Sequence, residues 1–328
     1  MRNKLHRQSL DISWDALAAG NMATSRRQAL ALLAPALAHG DHERMADAFL
    51  LLSRLELLES RAGASLQYSR HALKSAEALH DPVRGGEALE LRGCAANFLG
   101  QMDLAEACAR QCLELHASDG DGRALAIAHN YLAAAATWRF QYDAADKLFG
   151  QSVALSRDSS VPGQRFHPLV NQVYSQIIFL RIQTNGVESS DEFLGTVARM
   201  HEMAKECQRL FLAGQTGVLY RGMQDLLVFM MVFASCEVAL LAGDSATAHE
   251  YLAACRARAS RLPARHWARA LLSWAEVDYA VAAGNPRIAQ ALRGSMEIQA
   301  RTGGHEPLRQ VALLLGRDAA MADRSERS

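Results

Sequence analysis

The stretch CARQCLELH places Cys108, Cys112 and His116 at four-residue intervals. Residues four apart lie on one face of a helix, so these three side chains would be neighbours. Thiolate and imidazole groups are ligands that soft transition metals prefer. The spacing therefore raises the hypothesis of a metal site, and a purely structural use of cysteine is the alternative.

Histidine and aspartate also cluster in HGDHE (39–43) and HDPVR (80–84). Both segments fall between helical stretches and contain Gly, Asp or Pro, which favour turns. A third segment, SDGDG (118–122), follows at a similar spacing. The pattern favours turn residues over metal ligands. A single acid, Glu56, occupies a slot that is usually apolar. A buried carboxylate with a raised pKa is one interpretation, but we expect Glu56 at an exposed helix end.

The overall composition argues against several classes of protein. Lys plus Arg and Asp plus Glu number 35 each, which gives a formal net charge of zero. A nucleic-acid partner is not expected, because no basic excess is present. Six cysteines lie within apolar helical patterns, which is typical of reduced thiols and predicts a cytoplasmic location. The N-terminus has no continuous apolar core, so no secretory signal is expected.

One apolar stretch, 226–243, approaches the length of a membrane span. Glu237 interrupts it, and Asp225 and Asp244 flank it. A buried helix is therefore predicted, without membrane insertion.

The sequence repeats itself at a spacing of 40 residues. Segment 88–115 aligns with 128–155, and 48–75 aligns with both. Small residues recur in the same slots, for example Gly93 with Ala133 and Ala105 with Ala145. Ala and Leu at three- and four-residue intervals indicate helices, and a fixed period of this length is typical of stacked helix pairs. In the same register, Ala72 and Ser152 occupy the slot that Cys112 occupies in its own unit. Cysteine there is predicted to act as a small packing residue, so no metal or cofactor is expected.

These slots resemble the consensus of the tetratricopeptide repeat (TPR). Gly93, Ala96, Gly100 and Ala105 stand in consensus positions of one unit. The long period is similar to that of bacterial regulators of this type. The chain departs from the consensus in two slots. The tryptophan slot holds Phe49, Leu89 and His129, and the glycine before the second helix is replaced by Ser60 and Phe140 in two units.

The resemblance implies an all-α fold, a right-handed α-solenoid of about six or seven stacked antiparallel helix pairs. We expect regular repeats over 10–156, an irregular and enlarged unit over 157–225, further repeats over 226–316, and a flexible tail over 317–328. No P-loop, GGDEF-type or metalloprotease motif occurs in the sequence. The resemblance therefore implies a non-catalytic protein that binds a protein or peptide segment, as a regulatory or signalling adaptor.

The family's concave face maps onto the first helix of each pair. The asparagines could bind an extended backbone, and the aromatic residues could anchor a partner or simply pack against the next unit. The predicted groove consists of Arg54, Glu87, Glu90, Asn97, Phe98, Asn130, Trp138, Tyr174, Gln176 and Glu237. Two alternatives remain: a small-ligand sensor or enzyme with a pocket in 169–245, and an oligomeric structural protein, such as a homodimer through its end helices.

Overall fold

In the computed structural model, the chain folds into α-helices joined by short turns. The structure describes residues 2–116, 122–157, 164–183, 191–214 and 221–325, and no strand occurs in these ranges. The helices are α1 (Arg2–Ala18), α2 (Met22–His39), α3 (His42–Leu58), α4 (Ala62–Leu79), α5 (Pro82–Phe98), α6 (Met102–His116), α7 (Gly122–Trp138), α8 (Tyr142–Leu155), α9 (Phe166–Gln183), α10 (Asp191–Leu212), α11 (Arg221–Leu241), α12 (Ser245–Ala259), α13 (Arg269–Ala282), α14 (Pro286–Thr302) and α15 (Glu306–Ser325).

Consecutive helices pack as pairs, from α1 with α2 to α13 with α14, and each pair packs on the next. This arrangement confirms the predicted all-α solenoid. Stacking is required because the apolar stripe of one pair is covered only by its neighbours.

Aspartates begin several of the helices. Asp41, Asp81 and Asp244 each precede a helix, and each side chain accepts a hydrogen bond from a backbone N–H of the first turn. The preceding helices α2 and α4 end at Gly40 and His80 in the left-handed conformation. The two His/Asp segments are therefore caps and turns, as predicted. Most of the third predicted turn, SDGDG, lies outside the described residues.

Three turns within helix pairs share one backbone conformation although their residue types differ. Gly100 has a φ of 74°, and the aligned Ser60 and Phe140 have φ values of 60° and 58°. Glycine adopts this region freely, whereas a side chain there costs about 1 kcal/mol. The repeat geometry therefore imposes the turn even where the consensus glycine is missing.

Small residues bring the two helices of a pair close together. A Cβ added at Gly93 of α5 would lie 3.4 Å from the Cβ of Cys108 in α6. Ala96 and Ala105 on the same two helices are fully buried. These slots limit the helix spacing, since side chains larger than alanine would push the pair apart.

The middle of the chain contains the two longest of the described helices, α10 and α11. Helices α9, α10 and α11 have 18, 22 and 21 residues. They share a continuous apolar core with α12 to α15, while α1 to α4 have a separate cluster around Leu51, Leu52 and Leu55. The helical backbone of α15 continues to Ser325, into the segment predicted as a tail.

Candidate partner-binding surface

The odd-numbered helices form the inner layer of the molecule. From α1 to α13, each of them contacts the next odd-numbered helix. Helix α3 is buried on nearly all sides, whereas α6 buries a single stripe and exposes its opposite face. The predicted groove residues all lie on helices of this inner layer, and the even-numbered helices pack against it from the other side.

Arg54 and Glu87 lie on neighbouring inner helices, α3 and α5, and form an ion pair. The Arg54 guanidinium also lies over the ring of Trp14, 5.6 Å from its centroid. Arginine is suited to such a position because it can pair with a carboxylate and stack on a ring at once. The structure brings these two predicted groove residues together, with their charges balanced.

Glu90 lies one turn further along α5. The Tyr131 hydroxyl donates to Glu90 Oε1 over 3.4 Å, and Glu90 as a whole is half-buried. Burial raises the pKa of Glu90. Burial also raises the pKa of the Cys94 thiol to about 12. This part of the surface is therefore poorly solvated, which strengthens any hydrogen bond made there.

Two predicted asparagines lie in the same layer. Asn130 is 3% exposed and accepts a hydrogen bond of 3.1 Å from Asn171 Nδ2 on α9. Asn97 is 4% exposed, and its Oδ1 has no hydrogen-bond partner among the described residues. Asn97 therefore presents an unused acceptor on the inner layer, of the kind that a peptide N–H would satisfy.

The three predicted aromatic residues lie close together. Trp138 and Tyr174 have ring centroids 6.0 Å apart in an edge-on arrangement. His305, from the turn before α15, joins the group, with its centroid 4.9 Å from Phe98 and 5.3 Å from Trp138. Phe98 and Trp138 are thus covered by a residue of the same chain.

Two predicted groove residues are engaged elsewhere. Gln176 Nε2 donates to Asp146 Oδ1 on α8 over 2.8 Å, so its amide reaches toward the outer layer. Glu237 is fully buried. Arg181 binds it through Nη2 at 2.8 Å and binds Asp278 Oδ2 through Nε at 2.9 Å. This acidic pair and its arginine join α9, α11 and α13 inside the core.

The sequence reasoning missed Arg181, Asp278, Trp267 and His305. A carboxylate in the apolar stretch around Glu237 was a signal that a counter-charge must face it. Trp267 and His305 carry no such signal, because they lie in turns outside the repeat register. Burial lowers the pKa of His305 to about 3, so its ring is neutral in the folded protein at physiological pH.

The side chains of CARQCLELH pack between helices. Cys108, Cys112 and His116 are all buried, and burial raises the pKa of the Cys108 thiol. Gly86 makes room for the imidazole, since a Cβ there would lie 2.4 Å from His116 Nε2. In the part of the chain that the structure describes, no group of three His, Cys, Asp or Glu side chains is arranged to hold a metal ion.

Glu56 is not at an exposed helix end, so that expectation was wrong. It is 3% exposed and forms ion pairs with Arg26 and Arg61. Burial alone would raise the pKa of Glu56, but the hydrogen bonds and charges of the two arginines lower it. The acid is thus a structural link between α2, α3 and the turn that follows.

The described part of the middle segment is densely packed. Ile177, Ile178, Phe229 and Phe233 are fully buried there. An open surface depression of about 570 Å³ lies elsewhere, and its lining is Met22, Ala23, Arg26, Arg27, Leu30 and Glu59. The alternative of a ligand pocket in 169–245 therefore gains no support from the described residues.

Helix α11 contains a stretch, Met223–Leu241, that is long and apolar enough to cross a membrane. In this fold 78% of its apolar window is buried by the surrounding helices. This burial is typical of a core helix, in agreement with the interpretation of the sequence.

Several solved structures are similar to this chain. The apo form of RapI matches with a TM-score of 0.62 at 12% sequence identity, over 91% of this chain and 98% of that one. A tetratricopeptide repeat protein from Parabacteroides merdae ATCC 43184 has a TM-score of 0.46 at 11% identity, over 94% and 98%. The likeness to RapI shows the fold alone and confirms the predicted TPR-type architecture. Neither a protein-family model nor a curated protein matches the sequence.

Proposed function

We propose that this chain is a non-catalytic scaffold that binds a segment of protein or peptide on its inner layer. It acts as a regulatory or signalling adaptor in a bacterial cytoplasm. The observation that carries the proposal is the unused acceptor of Asn97, which shares the inner layer with Asn130 and the poorly solvated Glu90. A peptide backbone supplies an N–H group of the kind that Asn97 Oδ1 lacks.

The fold supports the same conclusion. A stacked array of helix pairs presents one extended surface, which suits an elongated partner better than a small molecule. The six cysteines are all free, and five of them are buried, which fits a reducing compartment. The likeness to RapI supports the scaffold through the fold only.

The first test compares partner affinity between inner-layer and outer-face variants. The partner is first isolated on the intact chain, and its binding is then measured by calorimetry. Glu90→Gln keeps the size of the side chain, and Asn130→Ala removes an amide. Each substitution should weaken the affinity for the partner about tenfold, because each removes one buried hydrogen bond.

Glu114→Gln, on the exposed face of α6, is the matched control and should bind like the native chain. Because Asn130→Ala also removes the hydrogen bond from Asn171, its melting temperature is measured alongside. Native affinity in both inner-layer variants, or a loss confined to Glu114→Gln, would refute binding at the inner layer.

A further inference from the structure

Helix α15 departs from the stacking of the other helices. Odd-numbered helices up to α11 lie beside the next odd-numbered helix, but α15 turns back from α14 and contacts α5 and α9. Leu308, Val311 and Ala312 in its first half are buried in the central core. A segment of this chain therefore lies across the inner layer, beside the residues of the candidate binding surface.

His305 fixes the start of α15 and covers the aromatic residues of the surface. Its Nδ1 accepts a hydrogen bond of 3.1 Å from the backbone N–H of Leu308, as a helix cap does. Its ring lies between Phe98 and Trp138 and also contacts Trp267, with centroids 4.7 Å apart. The His305 side chain thus caps the start of α15 and contacts both predicted aromatic anchors, Phe98 and Trp138.

Two turns in the first half of the chain, at Ser60 and at Gly100, also contact this region. The Trp267 backbone N–H donates to Ser60 Oγ over 3.3 Å, across 207 residues of sequence. A Cβ at Gly304 would lie 3.3 Å from the Ser60 carbonyl oxygen. A Cβ at Gly100 would lie 3.2 Å from Glu306 Cγ. The second and third helix pairs are therefore joined by close contacts to the segments at the starts of α13 and α15.

The closed contact leaves polar atoms unsatisfied. Asn97 Oδ1, the Tyr174 hydroxyl and Trp267 Nε1 are buried without a hydrogen-bond partner in the described residues. Tyr174 and Trp267 contact rings of the same aromatic group, and Asn97 precedes Phe98 in it. Buried polar groups without partners are unfavourable. A segment with free backbone amides would relieve this loss, whereas α15 does not.

We propose that α15 is an internal occupant of the binding surface, held by the His305 ring, and that a partner segment binds by displacing it. This rests on the proposed function and describes the regulation of the same surface. The displacing segment carries a ring to replace His305, an N–H for Asn97 and a carbonyl for Trp267. In the closed form, Phe98 and Trp138 are covered and the partner binds more weakly.

The opening is tested with His305→Asn in the full-length chain, without any partner. Asparagine retains the helix cap but removes the ring. Amide hydrogen exchange is measured in the first half of α15 and at the C-terminal ends of α5 and α7. Exchange there should be roughly five- to tenfold faster, the change expected from losing aromatic contacts. His249→Asn is the control, since it removes a ring contact with Tyr279 between α12 and α13.

The closed form is fixed with a disulfide between Gly100→Cys and Glu306→Cys. A Cβ at Gly100 would lie 3.5 Å from the Glu306 Cβ, within the range of about 3.5–4.5 Å found in disulfides. Exchange at the same sites should be slower in the oxidised protein than in the same protein after reduction. A fluorescent peptide with the sequence of residues 303–316 serves as the probe, and we expect it to bind His305→Asn at least about tenfold more tightly than the oxidised double variant.

Equal exchange in His305→Asn and His249→Asn, with no effect of oxidation, would show that α15 is a permanent core helix and would overturn the proposal. If His305→Asn does not fold, the comparison of oxidised and reduced protein decides by itself. If the surface opens as expected but Glu90→Gln and Asn130→Ala leave partner affinity unchanged, the proposed function fails, and only the opening of α15 from the inner layer stands.

Discussion

Glu237 is a carboxyl group without solvent access, and its neighbours determine its charge. Burial raises the pKa of Glu237 well above its ordinary range, the Asp278 carboxylate raises it further, and Arg181 lowers it. Arg181 binds Oε2, while Oε1 has no assigned partner in the described residues. A proton on Oε1 would allow Glu237 to donate to Asp278. The raised pKa favours the protonated, neutral form of Glu237 in the folded protein.

The pH dependence of stability follows from this charge state. In the unfolded chain Glu237 loses its proton near pH 4.5, whereas the folded protein keeps it to a higher pH. Unfolding then releases a proton, so the stability contribution falls as pH rises above the unfolded value. In Glu237→Gln the amide replaces the protonated carboxyl, and we expect a gain of roughly 1–3 kcal/mol relative to the native chain between pH 5 and pH 8.

Urea unfolding at a series of pH values measures this difference, with Glu250→Gln on the exposed face of α12 as the control. Glu237→Ala should instead lose about 2–4 kcal/mol, because it leaves a cavity beside Arg181. A stability difference between Glu237→Gln and the native chain that does not change with pH would show that Glu237 is ionised in the fold.

At the scale of the helix pair, the sequence predicts the structure well because contacts between neighbouring helices determine which residue type fits each slot. Small residues recur at the slots of Gly93 and Ala105 because two helices touch there. The turn at Gly100 has the same backbone conformation as the turns at Ser60 and Phe140. The inner positions of Glu90, Asn97 and Asn130 follow from the same register. Gln176 is less predictable, since its bond to Asp146 depends on the conformation of a flexible side chain.

Cys112 provides a direct test of the packing interpretation. It lies in a small-residue slot between helices, so Cys112→Ala should change the free energy of unfolding by less than about 1 kcal/mol, while Cys112→Leu should lose about 1–3 kcal/mol by overpacking. Cys255→Ala, in the equivalent slot of α12, should behave like Cys112→Ala. Stoichiometric zinc or copper in the purified protein, lost on Cys112→Ala, would restore the metal hypothesis.

At the scale of the whole molecule, the sequence does not predict how the ends meet. Repeat register places each helix beside its neighbours, but contacts such as that of Trp267 with Ser60 join residues 207 positions apart. These contacts depend on the summed rotation from each helix pair to the next along the whole array. They therefore produce no repeating pattern in the sequence. The covering of Phe98 and Trp138 by His305 is therefore visible only in three dimensions.

Gly303 is the residue on which this closure depends most directly. A Cβ at Gly303 would lie 2.4 Å from the Trp267 Cα and 2.7 Å from its backbone nitrogen, and a backbone neighbour cannot rotate away. Gly303→Ala should therefore lose roughly 2–3 kcal/mol of stability. Gly294→Ala on α14 meets no atom within 4 Å and should gain about 0.5–1 kcal/mol through helix propensity. Equal melting temperatures for the two variants would contradict the closed arrangement.

The central claim is that a partner segment binds the inner layer, and site-specific photo-crosslinking tests it most directly. A benzophenone amino acid replaces Glu90 on the inner layer of α5 in one variant and Glu114 on the outer face of α6 in another. Both are expressed in the native cell, irradiated, and examined for adducts with other proteins. The account predicts a discrete adduct from position 90 and none from position 114. An adduct from position 114 alone, or none from position 90 in cells where the partner is captured, would contradict it.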